Sequence, residues 1–162
     1  DDTVRTFVKH AGFLQLVRGR RLRLQRTEPN IGALATALAD PVNPVTAQYH
    51  LAFVASDTFY EHTHRYPGQR HDWQADVDPL LSHAQTYCAR IGLDLSDSDR
   101  VRLQDACYEL TRGAHSDTPS TAAYLGGVAA QEVIKILTVQ YIPLDNTCVY
   151  DGIVQAVSSF RL

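Results

Sequence analysis

The stretch DTPSTAAYLGGVAAQEVIKILTV, residues 117–139, predicts one long helix. Thr118 can cap this helix, and Pro119 can occupy its first turn, where the missing N–H costs nothing. No charged side chain occurs from Pro119 to Ala130. A helix that is apolar on all sides is usually buried on all sides. We therefore expect the first half of the helix to run through a core and the second half to emerge at a surface.

Very small side chains form a broad stripe along the same helix. At 100° per residue the stripe contains Ala122, Ala123, Gly126, Gly127 and Ala130. Each helical glycine costs about 1 kcal/mol relative to alanine, so we expect another backbone to pack closely here, and we expect Gly126→Leu to overpack it. A phosphate-binding loop would need a preceding strand and wider glycine spacing. On the polar side of the second half, we predict Gln131 and Lys135 as contacts to a partner.

The composition is that of a globular protein: 162 residues, 44% of them apolar, with a net charge of −3. Such a charge argues against a dedicated nucleic-acid binder. Three widely spaced cysteines form no disulfide framework and suit a reducing compartment, the cytoplasm or nucleus. No apolar run reaches the roughly 18 residues needed to span a membrane. The chain contains no methionine and starts within a helical pattern, so we expect a fragment of a longer protein.

The pattern divides the chain into two parts. Residues 1–115 are a helical block, with helical periodicity over residues 3–24, 28–39, 45–62, 71–91 and 98–112. Residues 116–162 contain the long helix and three expected strands, Tyr141–Leu144, Thr147–Tyr150 and Val154–Phe160. The fold class is therefore mostly α with a small C-terminal β group, α+β.

An arginine cluster lies between Arg18 and Arg26, with five arginines in nine positions. Such a cluster can bind phosphates or an acidic partner. More often it is a solvated face, and that interpretation is favoured here because the rest of the chain is acidic. If the cluster does function, a protein partner is favoured over nucleic acid.

Histidines and cysteines are the candidates for site chemistry. His62, His64 and His71 lie close in sequence, but their spacing matches no recurrent zinc pattern, so we expect no metal site. The three cysteines are Cys88 and Cys107 on apolar helix stripes and Cys148 in a strand, positions typical of inert thiols. No nucleophile elbow or nucleotide-binding fingerprint is present. We therefore predict no catalytic and no cofactor-binding residues.

The long helix also carries a family resemblance. PSTAAYLGGVAAQEVIKILT, Pro119–Thr138, resembles the closing helix of the adenylation (ThiF-like) fold in activating enzymes for ubiquitin-like modifiers. The tail YIPLDNTCVYDGIVQAVSSFRL looks like the end of the regulatory subunits of the Nedd-type enzymes. Arg65–Gly68 and Phe13–Arg18 are similar to stretches of the same subunits, in the same order.

The resemblance implies a C-terminal piece of a non-catalytic regulatory subunit. Residues 1–115 would be the remnant of a catalytic-cysteine-type region, and residues 116–162 would complete an adenylation fold. The expected partners are the catalytic subunit and the ubiquitin-like modifier, with no nucleic acid and no membrane. ATP–Mg and the thioester cysteine are expected in the catalytic subunit, so this piece should be inactive alone.

Two alternatives stay open. The chain could be the equivalent region of a ubiquitin- or Sumo-activating enzyme. It could also be a free-standing helical binding module that holds zinc through His62, His64 and His71.

Overall fold

The computed structural model describes residues 1–13, 20–40, 45–116 and 118–162. Helices dominate the described residues, and one two-stranded antiparallel sheet lies near the C-terminus, which confirms the predicted class of mostly α with a small β group. The helices are α1 Asp2–His10, α2 Leu22–Thr27, α3 Ile31–Leu38, α4 Thr46–Thr63, α5 Val77–Ile91, α6 Asp97–Arg112 and α7 Pro119–Thr138. The strands are β1 Thr147–Asp151 and β2 Ala156–Phe160, and short 3-10 helices cover Ala11–Phe13 and Trp73–Asp76. Within the described residues, no helix is both long and apolar enough to cross a membrane.

The core is formed by α4 with α5 and α6 packed against it and with α3 and the strands closing its other side. Helices α3, α5 and α6 each contribute one apolar stripe, whereas the central α4 is buried over more than half of its circumference and also buries Thr46, Gln48 and Ser56. The fully buried side chains include Leu34, Leu51, Ala55, Phe59, Leu80, Ala84, Leu103 and Cys107. This core lies within residues 34–162 and includes no residue of α1, α2 or α7.

Local signals in the sequence fix several helix ends. Ser96 accepts a hydrogen bond from the N–H of Asp99, and the Asp99 carboxylate accepts the N–H of Ser96, a complete capping box for α6. Asn30 caps α3 through the N–H of Ala33. Gly92 ends α5 in the left-handed conformation, φ 72°, and Gly113 follows α6. Glycine is the residue most often found just after a helix end, and both positions follow that preference.

The long helix α7 is confirmed, with Thr118 at its N-cap and Pro119 in its first turn. The Thr118 side chain makes no capping hydrogen bond. The helix ends where Val139 adopts φ 55°, a left-handed conformation rare for a β-branched residue.

Of the three expected strands, the first is wrong. Residues 141–144 form no strand, because Tyr141 has a positive φ of 66° and Pro143 has no N–H to donate to a ladder. The other two pair antiparallel with Val149 opposite Ser158. The last strand begins at Ala156, two residues later than expected, because residues 152–155 form a turn in which Asp151 accepts the N–H of Ile153 at 2.8 Å.

The expected helix over residues 3–24 is not continuous in the described residues. Helix α1 ends at His10, a 3-10 turn follows, and α2 starts at Leu22. Neither α1 nor α2 contains a buried residue. In the arginine cluster, Arg18 lies outside the described residues, Arg21 and Arg23 are exposed, and Arg26 pairs with Asp57 at 2.7 Å. The described part of the cluster is therefore a solvated face with one ion pair.

Candidate interaction surface

Helix α7 contacts the rest of the described chain through only one narrow side. Its only partly covered residues are Thr121, Val128, Glu132 and Lys135, which repeat at helical spacing on one side. The small residues Ala122, Gly126, Gly127 and Ala130 point the other way and are exposed. A methyl group added at Gly126 or Gly127 would meet nothing within 4 Å. The expected burial of the first half is therefore wrong for this chain by itself, because no larger sheet lies against that side in the described residues.

The polar residues of α7 hold the chain's own tail. Glu132 pairs with Lys135 at 2.6 Å and also accepts the backbone N–H of Leu144 at 2.6 Å. Lys135 first and then the Leu144 N–H hold the pKa of the Glu132 carboxyl below its usual value. Of the two residues predicted to contact a partner, Gln131 is exposed and Lys135 is partly covered by this ion pair. Their role towards a partner stays a prediction.

The outward side of α7 is a continuous apolar surface, which we call the outer face. Its first half carries the small residues and its second half carries large ones. The exposed fraction reaches 76% at Leu137, and the surface continues past the helix end to Val139 at 90%. Its large members are Val133, Ile134, Leu137, Val139, Tyr141 and Ile142. Contiguous apolar surface of this kind marks an interaction site in a soluble protein.

The loop Arg65–Gly68 is part of the connection between α4 and the following 3-10 helix. The Arg65 guanidinium binds both carboxylate oxygens of Asp76, at 2.5 Å each, and lies 5.1 Å from the ring centre of Phe59. Asp76 also accepts the backbone N–H of Gly68 at 2.9 Å. Arg65 is the main cause of a lowered pKa at Asp76, whose burial acts in the opposite direction. The sequence signals the turn at Pro67-Gly68, but it gives no sign that Asp76 is the partner of Arg65.

A groove of about 1200 Å³ runs beside this loop, bounded by α4, the α6–α7 connection and β1. Tyr49 and His50 of α4 line it, with Tyr66 of the loop and Asp151 of β1. Burial raises the pKa of Tyr49 to about 12, and Asp151 adds to this effect. Burial lowers the pKa of His50 to about 4, and the Nε2 atom of His50 has no hydrogen-bond partner. Tyr49 and His50 therefore stay uncharged near neutral pH, while the acidic Glu109 and Asp151, the basic Arg112 and the Arg26–Asp57 pair also line the groove.

The three histidines proposed as a zinc site do not come together. His62 stacks instead on His83 of α5, with ring centres 5.1 Å apart, and its Nδ1 lies 2.8 Å from the carbonyl oxygen of Thr58. His64 ends α4 in a left-handed conformation. In the part of the chain that the structure describes, no three histidine, cysteine or carboxylate side chains are grouped to hold a metal ion.

The cysteines occupy sheltered positions. Cys88 and Cys107 are buried, and burial raises their pKa values to about 11 and about 12. Cys148 lies in β1, is less buried, and also has a raised pKa because of desolvation. Reactive thiols have lowered pKa values, so none of the three has the environment of a nucleophile.

Comparison with curated proteins identifies the class that this chain resembles: the E1 enzymes that activate ubiquitin and related modifiers. It is 29% identical over 116 residues to ubiquitin-activating enzyme E1 1 of Schizosaccharomyces pombe, covering 71% of the chain and 11% of the relative. No protein-family model matches the chain.

The more extensive similarity is to NEDD8-activating enzyme E1 regulatory subunits, which confirms the resemblance drawn from α7, the loop and the tail. The chain is 28% identical over 151 residues to subunit AXR1 of Arabidopsis thaliana, covering 93% of the chain and 27% of the relative. It is 30% identical over 160 residues to the Drosophila melanogaster subunit, covering 99% of the chain and 29% of the relative. The chain thus spans less than a third of the length of these relatives, consistent with a piece of a regulatory subunit.

Proposed function

We propose that this chain is the part of a regulatory subunit that completes the adenylation fold of a NEDD8-type activating enzyme. The observation that carries the proposal is the outer face of α7. Its N-terminal half offers only small side chains, which allow a flat sheet to approach the helix backbone closely, and its C-terminal half offers large apolar ones. Covering the side chain of Leu137 or Ile134 would contribute about 1.5–3 kcal/mol each.

In this proposal the chain performs no chemistry of its own. Its cysteines are shielded or have raised pKa values, which supports a thioester cysteine elsewhere in the enzyme. The catalytic subunit would bind ATP–Mg, and both that subunit and the ubiquitin-like modifier would be partners. A reducing compartment, cytoplasm or nucleus, suits the three free thiols.

A chimera tests the proposal. The matching region of the Drosophila relative is replaced by this chain, and the chimera is mixed with its catalytic subunit, ATP–Mg and NEDD8. We expect an ATP-dependent NEDD8 thioester on the catalytic subunit, measured on a non-reducing gel. A chimera that folds but supports no thioester, while the intact relative does, would contradict the proposal.

Matched variants test the outer face itself. Leu137→Gln should weaken assembly of the chimera and lower thioester formation, because it places an amide in a buried apolar contact. Val101→Gln is the control, since Val101 is also exposed but belongs to α6 and not to the outer face. Equal effects of the two substitutions would show that the outer face is not the contact.

A second candidate function is the equivalent role in a ubiquitin-activating enzyme, favoured by the similarity to the Schizosaccharomyces pombe enzyme. Supplying ubiquitin in place of NEDD8 separates the two: a thioester formed with ubiquitin alone favours this second candidate.

A further inference from the structure

The outer face of α7 changes from small to large side chains at matching intervals on the two sides of Ala130. Large side chains follow Ala130 by three, four and seven residues: Val133, Ile134 and Leu137. Small residues precede it by the same three intervals: Gly127, Gly126 and Ala123. All of these residues are exposed, and intervals of three, four and seven place them on one side of a helix. The outer face thus has a small half and a large half of equal length.

These intervals make the outer face complementary to a second copy of itself. When two such helices lie antiparallel with Ala130 of one facing Ala130 of the other, each later residue faces an earlier residue of the second copy. Each large residue then lies over a small one: Leu137 over Ala123, Ile134 over Gly126, and Val133 over Gly127. The same contacts recur on the other side of the two-fold axis. Large side chains set into spaces left by small ones give the close packing found in protein interiors.

We propose that two copies of this chain form a dimer through the outer faces of α7, antiparallel, with a two-fold axis at Ala130. Small side chains allow the two helix backbones to approach closely near this axis. Val139 and Tyr141, which are 90% and 84% exposed, continue the apolar surface past the helix end, where the first turn of the second helix would lie. The described body of each chain contacts the opposite side of its own α7, which leaves the outer face open to the second copy.

Charge and shape favour a second copy in this orientation. The outer face has no cation that could bind a phosphate or an anionic lipid. The two charged residues of α7, Glu132 and Lys135, pair with each other on its covered side, so the dimer would bury no charge. A parallel pair would place Leu137 against Leu137 and Gly126 against Gly126. The large ends would then hold the helices apart and leave a gap between the small ends.

The dimer does not depend on the proposed function, and it concerns the chain before assembly. One surface cannot hold a sheet and a second copy at the same time, so assembly into an enzyme would separate the dimer. The chain alone tests the dimer, whereas the thioester assay of the chimera tests the proposed function, so either can fail without the other. We expect moderate affinity, because each copy contributes one 20-residue helix, about 30 Å long.

Sedimentation equilibrium of the full chain measures the dimer. We expect a reversible change from one chain, 18.0 kDa, to twice that mass, with a Kd of about 10 µM. Val133→Gln should weaken the dimer at least about tenfold, because it places an amide in an apolar contact twice in each dimer. Val101→Gln is the matched control: the same substitution at a valine of similar exposure, 59% against 54%, outside the outer face. It should leave the Kd unchanged.

An exchange of size between two facing residues tests the register. Gly126→Leu brings two large side chains together and Ile134→Ala leaves a gap, so each variant alone should dimerise at least about tenfold more weakly. In a mixed dimer the enlarged position 126 of one copy faces the reduced position 134 of the other, and the second pair of these positions is unchanged. Mixing the variants should therefore restore dimers with one copy of each, which native mass spectrometry identifies by mass.

Circular dichroism and urea unfolding at about 1 µM, where the chain would be monomeric, check that each variant keeps the fold. We expect this, because a Cβ added at Gly126 meets nothing within 4 Å and the side chains of Val133 and Ile134 are exposed.

Four results would overturn the proposal. The first is a chain that stays monomeric up to about 200 µM, which would leave the outer face to a different protein. The second is an equal effect of Val133→Gln and Val101→Gln. The third is growth beyond a dimer, because a two-fold contact closes on itself. The fourth is a mixture of Gly126→Leu and Ile134→Ala that dimerises no better than either variant alone, because nonspecific apolar contact does not depend on register.

Discussion

The Arg65 guanidinium and the Asp76 carboxylate form a two-pronged ion pair, with both N–O distances at 2.5 Å. The Asp76 side chain is only 6% exposed. Because the same carboxylate accepts the N–H of Gly68, this one side chain fixes the loop after α4 to the start of α5. The ion pair thus joins two segments whose residues are eleven positions apart in the chain.

Asp76→Asn should destabilise the fold by about 2–3 kcal/mol, because it leaves the Arg65 cation without its charged partner in a sheltered site. The measurement is urea unfolding at neutral pH. Glu109→Gln is the control: it breaks the Arg112–Glu109 pair, which has the same 2.5 Å separation but lies on the surface, and the unfolding midpoint should hardly change. Equal losses in the two variants would contradict a special role for Asp76.

The contribution of Asp76 should also depend on pH. Its pKa in the folded state lies below the usual value of 3.8, so its stabilising effect is complete above pH 3.8 and is lost as the pH falls through the lower folded pKa. The difference in unfolding free energy between wild type and Asp76→Asn should therefore be constant near neutral pH and shrink in strong acid. If this difference in unfolding free energy grew on acidification, the pKa of Asp76 would not be lowered by folding.

His50 predicts a second pH effect in a milder range. Its pKa falls from 6.5 in the unfolded chain to about 4 in the fold, so the unfolded state gains a proton first as the pH drops. Stability should fall by roughly 3 kcal/mol between pH 6.5 and pH 4, at 1.36 kcal/mol per unit of pKa shift. His50→Phe removes the titrating group but keeps a ring edge-on to Phe160, so its unfolding free energy should fall less over the same range.

Gly68→Ala should be severely destabilising. Gly68 has φ 81°, and an added methyl group would lie 2.7 Å from the Cβ of Ala114 and in conflict with the backbone of Thr111. Gly92→Ala is a matched control, because Gly92 has a similar φ of 72° but open space around it. Backbone strain alone costs about 1–2 kcal/mol, so thermal unfolding should show a clearly larger loss at Gly68.

Gly126→Leu should now have two opposite effects. In the chain by itself an added Cβ meets nothing within 4 Å and Gly126 is exposed, so better helix propensity should raise stability by about 0.5–1 kcal/mol. In the assembled chimera it should block the close approach of a sheet and lower thioester formation. Urea unfolding and the thioester assay measure the two effects, and a destabilised isolated chain would show that α7 is packed differently from the structure.

The thiols should react in a defined order with iodoacetamide. Cys148 is only partly buried, whereas Cys88 and Cys107 are buried and have pKa values of about 11 and about 12, so their thiolates are scarce and shielded. Mass spectrometry of the native protein should show modification of Cys148 first. Rapid labelling of Cys107 in the folded chain would contradict its position in the core.

The helices were predictable because their signals are local. Asn30, Gly92 and Gly113 mark helix ends in the sequence, and the stripes of α4, α5 and α6 repeat at helical spacing. The missed features depend on contacts distant in sequence. The strand expected at residues 141–144 is absent because the backbone turns at Tyr141 and the N–H of Leu144 binds Glu132.

The candidate surface was predicted only in part, for a related reason. The small side chains of α7 indicate close packing, but periodicity does not reveal whether the packing partner is in the same chain. The sequence predicted that the side of α7 with Gln131 and Lys135 would be exposed to a partner. In the structure Lys135 pairs with Glu132, which binds the chain's own tail at Leu144. Likewise, nothing in the spacing of His62 predicts its stacking on His83, which requires α4 and α5 to lie side by side.

The orientation of α7 has a consequence for how quickly this protein is degraded in a cell. In the chain by itself Glu132 already binds the N–H of Leu144, while Leu137 and Val139 are exposed to solvent. Chaperones and proteases recognise exposed apolar side chains, so unassembled molecules should be degraded faster than assembled ones. If the outer face is covered in an assembled enzyme, as proposed, the amount of this protein would follow the supply of the component that covers it.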